Sequence, residues 1–167
     1  MKPRVLVTRK VYPQALAILQ EDCVVDYRDT PEVADPATLV RKLQHADGVV
    51  CQLTDAITRE VIDSAPKLKV VSQVAVGYDN VDVAAATERG IVVTNTPGVL
   101  TESTADLTFA LILAVARRVT EAERYLRAGK WKRWDVDLLA GIDLVGKTLG
   151  IVGMGRIGQA LARRARG

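Results

Sequence analysis

Aromatic residues are scarce in this chain: one Phe, two Trp and four Tyr among 167 residues. A core built on large aromatic side chains is therefore excluded, and Val, Leu, Ile and Ala must supply it. That composition suits a parallel sheet, whose strands are buried on both faces. Cysteine is as sparse. Cys23 and Cys51 each sit in an apolar run, with no spacing that suits a metal, so both read as buried thiols in a reducing compartment. No run approaches the ~18 apolar residues of a membrane span. The opening MKPRVLVTRK lacks the apolar stretch of a signal peptide. The expectation is a cytoplasmic protein without a membrane partner. The single histidine, His45, lies in a polar helix end beside Ala46 and Asp47. It reads as a solvated group, not as a catalytic base.

What is present points to an α/β protein. Hydrophobic residues make up 49% and charged residues 26%, as in ordinary globular domains. The length allows one domain and a piece of another. Charge is uneven: residues 1–116 hold 11 Lys/Arg against 15 Asp/Glu, and residues 117–167 hold 12 against 5. A basic tail invites a nucleic-acid reading. The basic residues are spread over helical faces without a recognition motif, and a basic surface near a phosphate site suits a dinucleotide binder equally. No nucleic-acid partner is expected.

Short apolar runs alternate with helical patterns. Strands are expected at Arg4–Thr8, Cys23–Tyr27, Gly48–Gln52, Val70–Val74 and Ile91–Thr94. Helices are expected at Tyr12–Glu21, Pro36–Gln44, Thr58–Ser64 and Asp82–Glu88. Strands returned to the same end by helices form a parallel sheet, so residues 1–98 read as a flavodoxin-like five-stranded domain. After Pro97-Gly98 the pattern changes. Thr101 is a plausible N-cap, and residues 101–128 read as one long helix. Its half Ala105–Ala116 is apolar almost all round, which asks for burial on several sides. Residues 129–146 carry both Trp131 and Trp134 and read as a surface loop or an arm toward another subunit. Residues 147–167 read as a strand, Lys147–Gly153, and a helix.

Gly153-Met154-Gly155-Arg156-Ile157-Gly158 is a G-x-G-x-x-G between that expected strand and helix. The first glycine permits a tight turn, the second admits a pyrophosphate to the backbone, and the third lets helix and strand pack closely. The helix N-terminus adds free amides and a partial positive charge. Such turns also occur without a ligand. The acidic residue that would choose between NAD and NADP belongs ~20 positions on, beyond this sequence.

In the first domain, ligands belong at the carboxyl ends of the strands near the switch in strand order. For the order 2-1-3-4-5 that edge carries Arg9-Lys10, Gln52-Leu53-Thr54 and Ala75-Val76-Gly77-Tyr78, each of which also reads as a plain surface turn. Asp79, Asn80 and Asp82 precede a helix and read as capping residues. Cys51, at a strand end, reads as core packing.

The stretches 71–119, 146–164 and QLTDAIT (52–58) together resemble the D-isomer-specific 2-hydroxyacid dehydrogenases, most closely their glyoxylate/hydroxypyruvate reductase branch. The resemblance covers essentially the whole chain. It implies a substrate-binding domain over 1–98 and the N-terminal part of an NAD(P)-binding domain over 99–167: a linker helix at 101–128, an arm at 129–146 and the first strand–helix unit of a Rossmann domain at 147–167. It implies that Leu53 lines the substrate pocket and that the backbone at Val76 and Gly77 holds the substrate carboxylate. Thr104, Gly153, Gly155, Arg156, Ile157 and Gly158 would meet NAD or NADP, and no metal is implied. The long helix and the arm would form a homodimer contact. The substrate would be a small 2-oxo or 2-hydroxy acid, reduced by hydride transfer. The family's catalytic Arg, Glu and His lie in the second half of its nucleotide domain, and its substrate domain recruits a helix from the far C-terminus. None of these is in this sequence, so the chain alone is expected to be inactive. The alternatives are a non-catalytic dinucleotide-binding or oligomerisation protein on the same fold, or an inert structural fragment.

Overall fold

The computed structural model describes residues 1–166. They divide into two compact units, one over Met1–Pro97 and one from Gly98 on.

The first unit alternates strand and helix: β1 (Arg4–Val7), α1 (Pro13–Asp22), β2 (Val24–Tyr27), α2 (Pro36–Leu43), β3 (Gly48–Cys51), α3 (Arg59–Asp63), β4 (Val70–Gln73), α4 (Val83–Glu88) and β5 (Val92–Thr94). All neighbours pair in parallel in the order β2-β1-β3-β4-β5. Every expected strand and helix of this unit is present, with no end shifted by more than one residue. Local chemistry sets several ends. Asp35 caps α2 by accepting from the Thr38 amide at 2.8 Å, and Pro36 fills the first helical position, where a missing N–H is harmless. Asp82 caps α4 through the Ala85 amide at 2.8 Å, as its position before a helix suggested.

The core lies on one face of the sheet. Leu6, Val49, Cys51 and Val71 point into it, against Leu39 and Leu43 of α2, Val61 and Ile62 of α3, and Ala85 and Ala86 of α4. The opposite face is covered only in part, with Val5 and Val7 of β1 buried there, which narrows the expectation of strands covered on both sides. Its helix is α1, which has no buried residue, while Val74 and Val92 of that face are exposed. The cause is handedness. Right-handed crossovers that run from β2 through to β5 all pass on one side, and the β1-to-β2 crossover alone runs the other way.

The second unit holds α5 (Thr101–Ala116), α6 (Val119–Arg127) and α7 (Arg156–Arg166). Three expectations fail here. The single helix over 101–128 is two helices. Arg118 takes a left-handed backbone, φ 53°, and the arm intercepts the end of α5. The Ile142 amide donates to the Ala116 carbonyl at 2.9 Å, Gly141 lies so close that a side chain there would overlap that carbonyl oxygen, and Arg118 donates to the Ala140 carbonyl at 3.2 Å. Local propensity has no view of this contact. The α5 N-cap position is Leu100, without a side-chain cap bond, rather than Thr101. The third failure is the strand at Lys147–Gly153. The segment is not a strand, because a strand exists through ladder bonds to a neighbour and no described residue offers one.

The core of this unit is small. Ala105 of α5 is buried against Ala160 and Leu161 of α7, flanked by Phe109, Ile112 and Ile151. Arg163 and Arg164 pair with Glu102 at 3.0 and 2.9 Å, and Arg164 with Asp106 at 2.6 Å. Leu107, Leu111 and Val115 of α5 remain exposed, so this helix is not buried on several sides among the described residues.

Candidate functional site

The carboxyl edge of the first unit's sheet gathers three loops, after β1, β3 and β4. Leu53 and Gly77 meet there. A Cβ on Gly77 would lie 3.9 Å from Leu53 Cδ2, with no other heavy atom within 4 Å. Leu53 is 59% exposed. The amides of Val76 and Gly77 donate to no acceptor among the described residues. The carbonyl of Val76, in contrast, is fixed by Asn95 Nδ2 at 2.9 Å, and that of Gly77 accepts from Gln73 Nε2 at 3.3 Å. The loop thus has its oxygens anchored and its N–H groups free, a geometry that suits an anion.

Beneath the loops lies a buried polar cluster that composition and spacing did not reveal. Asp55 is fully buried. It accepts from the Thr8 hydroxyl at 2.6 Å and the Gln52 amide at 2.7 Å, and Arg9 Nε lies 3.5 Å from its other oxygen. Gln73, also buried, donates to Asn80 Oδ1 at 2.8 Å and accepts from the Cys51 thiol at 3.1 Å. Asn80 donates to the carbonyls of Gln52 at 3.1 Å and Asp55 at 2.8 Å. Asn80 is therefore no helix cap. A usable signal was present: Gln73 is a polar residue at an inward-facing register of a valine-rich strand, where burial demands partners.

Cys51 is buried, as expected, and burial pushes its thiol up to about 12, with the Asp55 charge adding to the shift. It is no nucleophile at neutral pH. Cys23 is only half-buried, against the expectation of two buried thiols. His45 is exposed and lines a 170 Å³ cavity with Arg4, Asp26 and Arg41, at the opposite end of the strands from the loops. No histidine therefore stands at the carboxyl edge.

In the second unit the glycine-rich turn has the geometry its chemistry requires. Gly153 has φ 94°, a conformation that disfavours any side chain. A methyl on Gly158 would overlap the Gly153 carbonyl oxygen, so the third glycine is what lets α7 pack on the turn. Around Gly155 there is open space. The helix begins at Arg156, with no acidic residue in its first turn. Arg156 and Ile157 are exposed at its start and Thr104 is half-buried on α5. Trp131 and Trp134 are 54% and 77% exposed. Trp131 borders an apolar hollow of 560 Å³ with Tyr125, Leu126 and Leu139.

Two units, one a parallel sheet with anion-ready amides at its carboxyl edge and one a glycine-rich turn opening a helix, define a dehydrogenase-type class. Comparison with known proteins gives the family. Residues 5–156 match the model of the D-isomer specific 2-hydroxyacid dehydrogenase catalytic domain, and the chain belongs to that family. It is 53% identical to a glyoxylate reductase of Korarchaeum cryptofilum, over 100% of this chain and 51% of that protein. The crystal structure of the TT0316 protein from Thermus thermophilus aligns at a TM-score of 0.90 and 52% identity, over 98% of this chain and 52% of the other. An NADPH-dependent glyoxylate/hydroxypyruvate reductase from Sinorhizobium meliloti, solved with NADP and malonate, aligns at 0.82 and 38% identity, over 99% of this chain and 50% of the other. The chain spans about half the length of the relatives it matches. Among the described residues, no helix is long and apolar enough to cross a membrane.

Proposed function

We propose that this chain is the N-terminal portion of a cytoplasmic NAD(P)H-dependent reductase of small 2-oxo acids, of the glyoxylate or hydroxypyruvate type. Residues 1–98 bind the acid and residues 99–167 begin the nucleotide domain. One observation carries the reading: the turn at 153–158 combines a left-handed Gly153, an open Gly155 and a helix-packing Gly158, the three features a dinucleotide diphosphate needs.

The free amides of Val76 and Gly77 hold the substrate carboxylate, and Leu53 closes the apolar side of the pocket. Two free N–H groups favour an anion over a neutral carbonyl compound. Gly153, Gly155, Arg156, Ile157 and Gly158 hold the cofactor's diphosphate through the start of α7, with the Arg156 charge adding to the bare amides. Thr104, at the start of α5, would approach the cofactor near its nicotinamide side. The cofactor, when bound, supplies the hydride. The proton for the product hydroxyl needs an acid at the same place, and this chain's single histidine stands at the far end of the sheet. The chain of 167 residues therefore lacks turnover by itself. The arm at 129–146, with Trp131 and Trp134 exposed, and the apolar faces of α5 and α6 form a homodimer contact.

The test is an assay of NAD(P)H oxidation with glyoxylate and with hydroxypyruvate. The 167-residue chain should give none, and the complete reading frame should oxidise the cofactor with at least one of the two. A complete product that oxidises it with neither acid would sink the proposal.

A further inference from the structure

The loops that carry Leu53 and Gly77 leave different strands, and the β3–β4 ladder ends before either of them. Its last bond beyond the paired strands is from the Val74 amide to the Cys51 carbonyl, 2.8 Å. Past that point a single side chain spans both loops. Asn80 Nδ2 donates to the carbonyls of Gln52 and Asp55, at 3.1 and 2.8 Å, gripping both ends of the turn that presents Leu53. Its Oδ1 accepts from Gln73 Nε2 at 2.8 Å, and the same Gln73 nitrogen donates to the Gly77 carbonyl at 3.3 Å. The Asn80 backbone adds a third tie, its carbonyl accepting from the Ile57 amide at 2.9 Å. Asp55 braces the turn from below through the Gln52 amide and the Thr8 hydroxyl.

The chemistry is exacting. Position 80 must donate twice and accept once. A carboxylate there cannot donate, and an aliphatic side chain can do neither. Gln73 and Asp55 are fully buried, so slack in the network would leave polar groups unpaired.

We propose that Asn80 is a positioning residue that fixes the gap between Leu53 and the Val76–Gly77 amides, and through that gap restricts the site to short 2-oxo acids. The proposal rests on the carboxylate cradle described under the proposed function and deepens it. A methyl at Gly77 would already touch Leu53 Cδ2, at 3.9 Å, so the two loops lie within reach of each other and a shift of either changes the space beside the amides. Asn80 and Gln73 resist such a shift.

The experiment uses the ¹⁵N-labelled chain, titrated with glyoxylate and with the branched 4-methyl-2-oxopentanoate, reading the Val76 and Gly77 amides. The wild-type chain should bind glyoxylate more tightly than the branched acid. Asn80→Ala should weaken glyoxylate by about tenfold, the equivalent of one well-placed hydrogen bond, and leave the branched acid nearly unchanged, so the preference collapses. A variant that melts lower but keeps the wild-type preference has lost only stability, and the positioning role is overturned. Should Asn80→Ala fail to fold, hydrogen exchange of the wild-type chain decides. Glyoxylate should slow the Gln52 and Ile57 amides together with Gly77, and protection confined to residues 76–78 overturns the proposal. Wild-type amides at 76 and 77 that ignore both acids overturn the cradle itself and the positioning role with it. A cradle that responds identically in wild type and variant overturns only the latter.

Discussion

Two apolar segments of this chain read alike as strands and fold differently. Gly48–Cys51 is a central strand between β1 and β4, while Lys147–Val152 stays unpaired, with Val152 fully exposed. The first unit brings its own neighbours for every strand and buries a continuous core on one face. The second unit buries little beyond Ala105, Ala116, Ala160 and Leu161 and leaves apolar stripes on α5 open. Extended sequence is necessary for a strand, and a partner makes it one.

The sharpest way to break this contrast is at Asp55. Asp55→Ala strands the Thr8 hydroxyl, the Gln52 amide and the Arg9 charge, and should destabilise the first unit by about 3–5 kcal/mol. Both tryptophans, Trp131 and Trp134, lie in the second unit. Chemical denaturation should therefore shift in circular dichroism and hold still in Trp fluorescence. Coincident shifts in both signals would show that the units do not unfold independently.

Leu43→Ala in the first core should cost about 2–5 kcal/mol. Leu111→Ala on the exposed α5 stripe should change stability by no more than about 0.5 kcal/mol at dilutions where the proposed homodimer comes apart. Equal losses at the two positions would mean that the α5 stripe is covered in solution. Gly158→Ala forces a methyl against the Gly153 carbonyl and should cost the second unit about 1–3 kcal/mol, read by thermal melting. The first unit should not respond.

Within the first unit the two thiols differ. Iodoacetamide should label half-buried Cys23 under native conditions and reach Cys51 only on unfolding, since burial keeps that thiol protonated. Rapid native labelling of both would refute the placement.

The smallest effects come from exposed carboxylates. Hydrogen bonds from the Thr38 amide and hydroxyl hold Asp35 below the usual range, and the Arg4 amide followed by the Lys69 ammonium do so for Asp47. A lowered folded value means their stabilisation is complete above the unfolded value of about 3.9 and is lost as pH falls through the folded values beneath it. In the second unit Glu121 is lowered by Arg118. NMR titration in molar salt should move Glu121 toward its ordinary value, because an exposed ion pair is screened. Asp35 should move less, its shift coming from hydrogen bonds.

Much of the candidate site was legible because the chemistry proposed for it is backbone chemistry. Gly77 and the three glycines of 153–158 announce themselves by lacking side chains, and their order fixes which one turns, which one opens and which one packs. Leu53 was placed through the family resemblance. Asp55, Gln73 and Asn80 were harder to read. They lie up to 25 positions apart, and only the folding of β3 beside β4 turns them into one hydrogen-bonded group.

By itself the sequence determined the five strands of the first unit, their parallel order and the glycine-rich turn, because alternating apolar runs and missing side chains act over a few residues. Tertiary structure decided the break at Arg118, the partly covered sheet face, the unpaired segment at 147–152 and the buried amide network. Each of these depends on which groups arrive from elsewhere in the chain to satisfy a carbonyl, cover a face or complete a ladder, and short-range pattern holds no information on that.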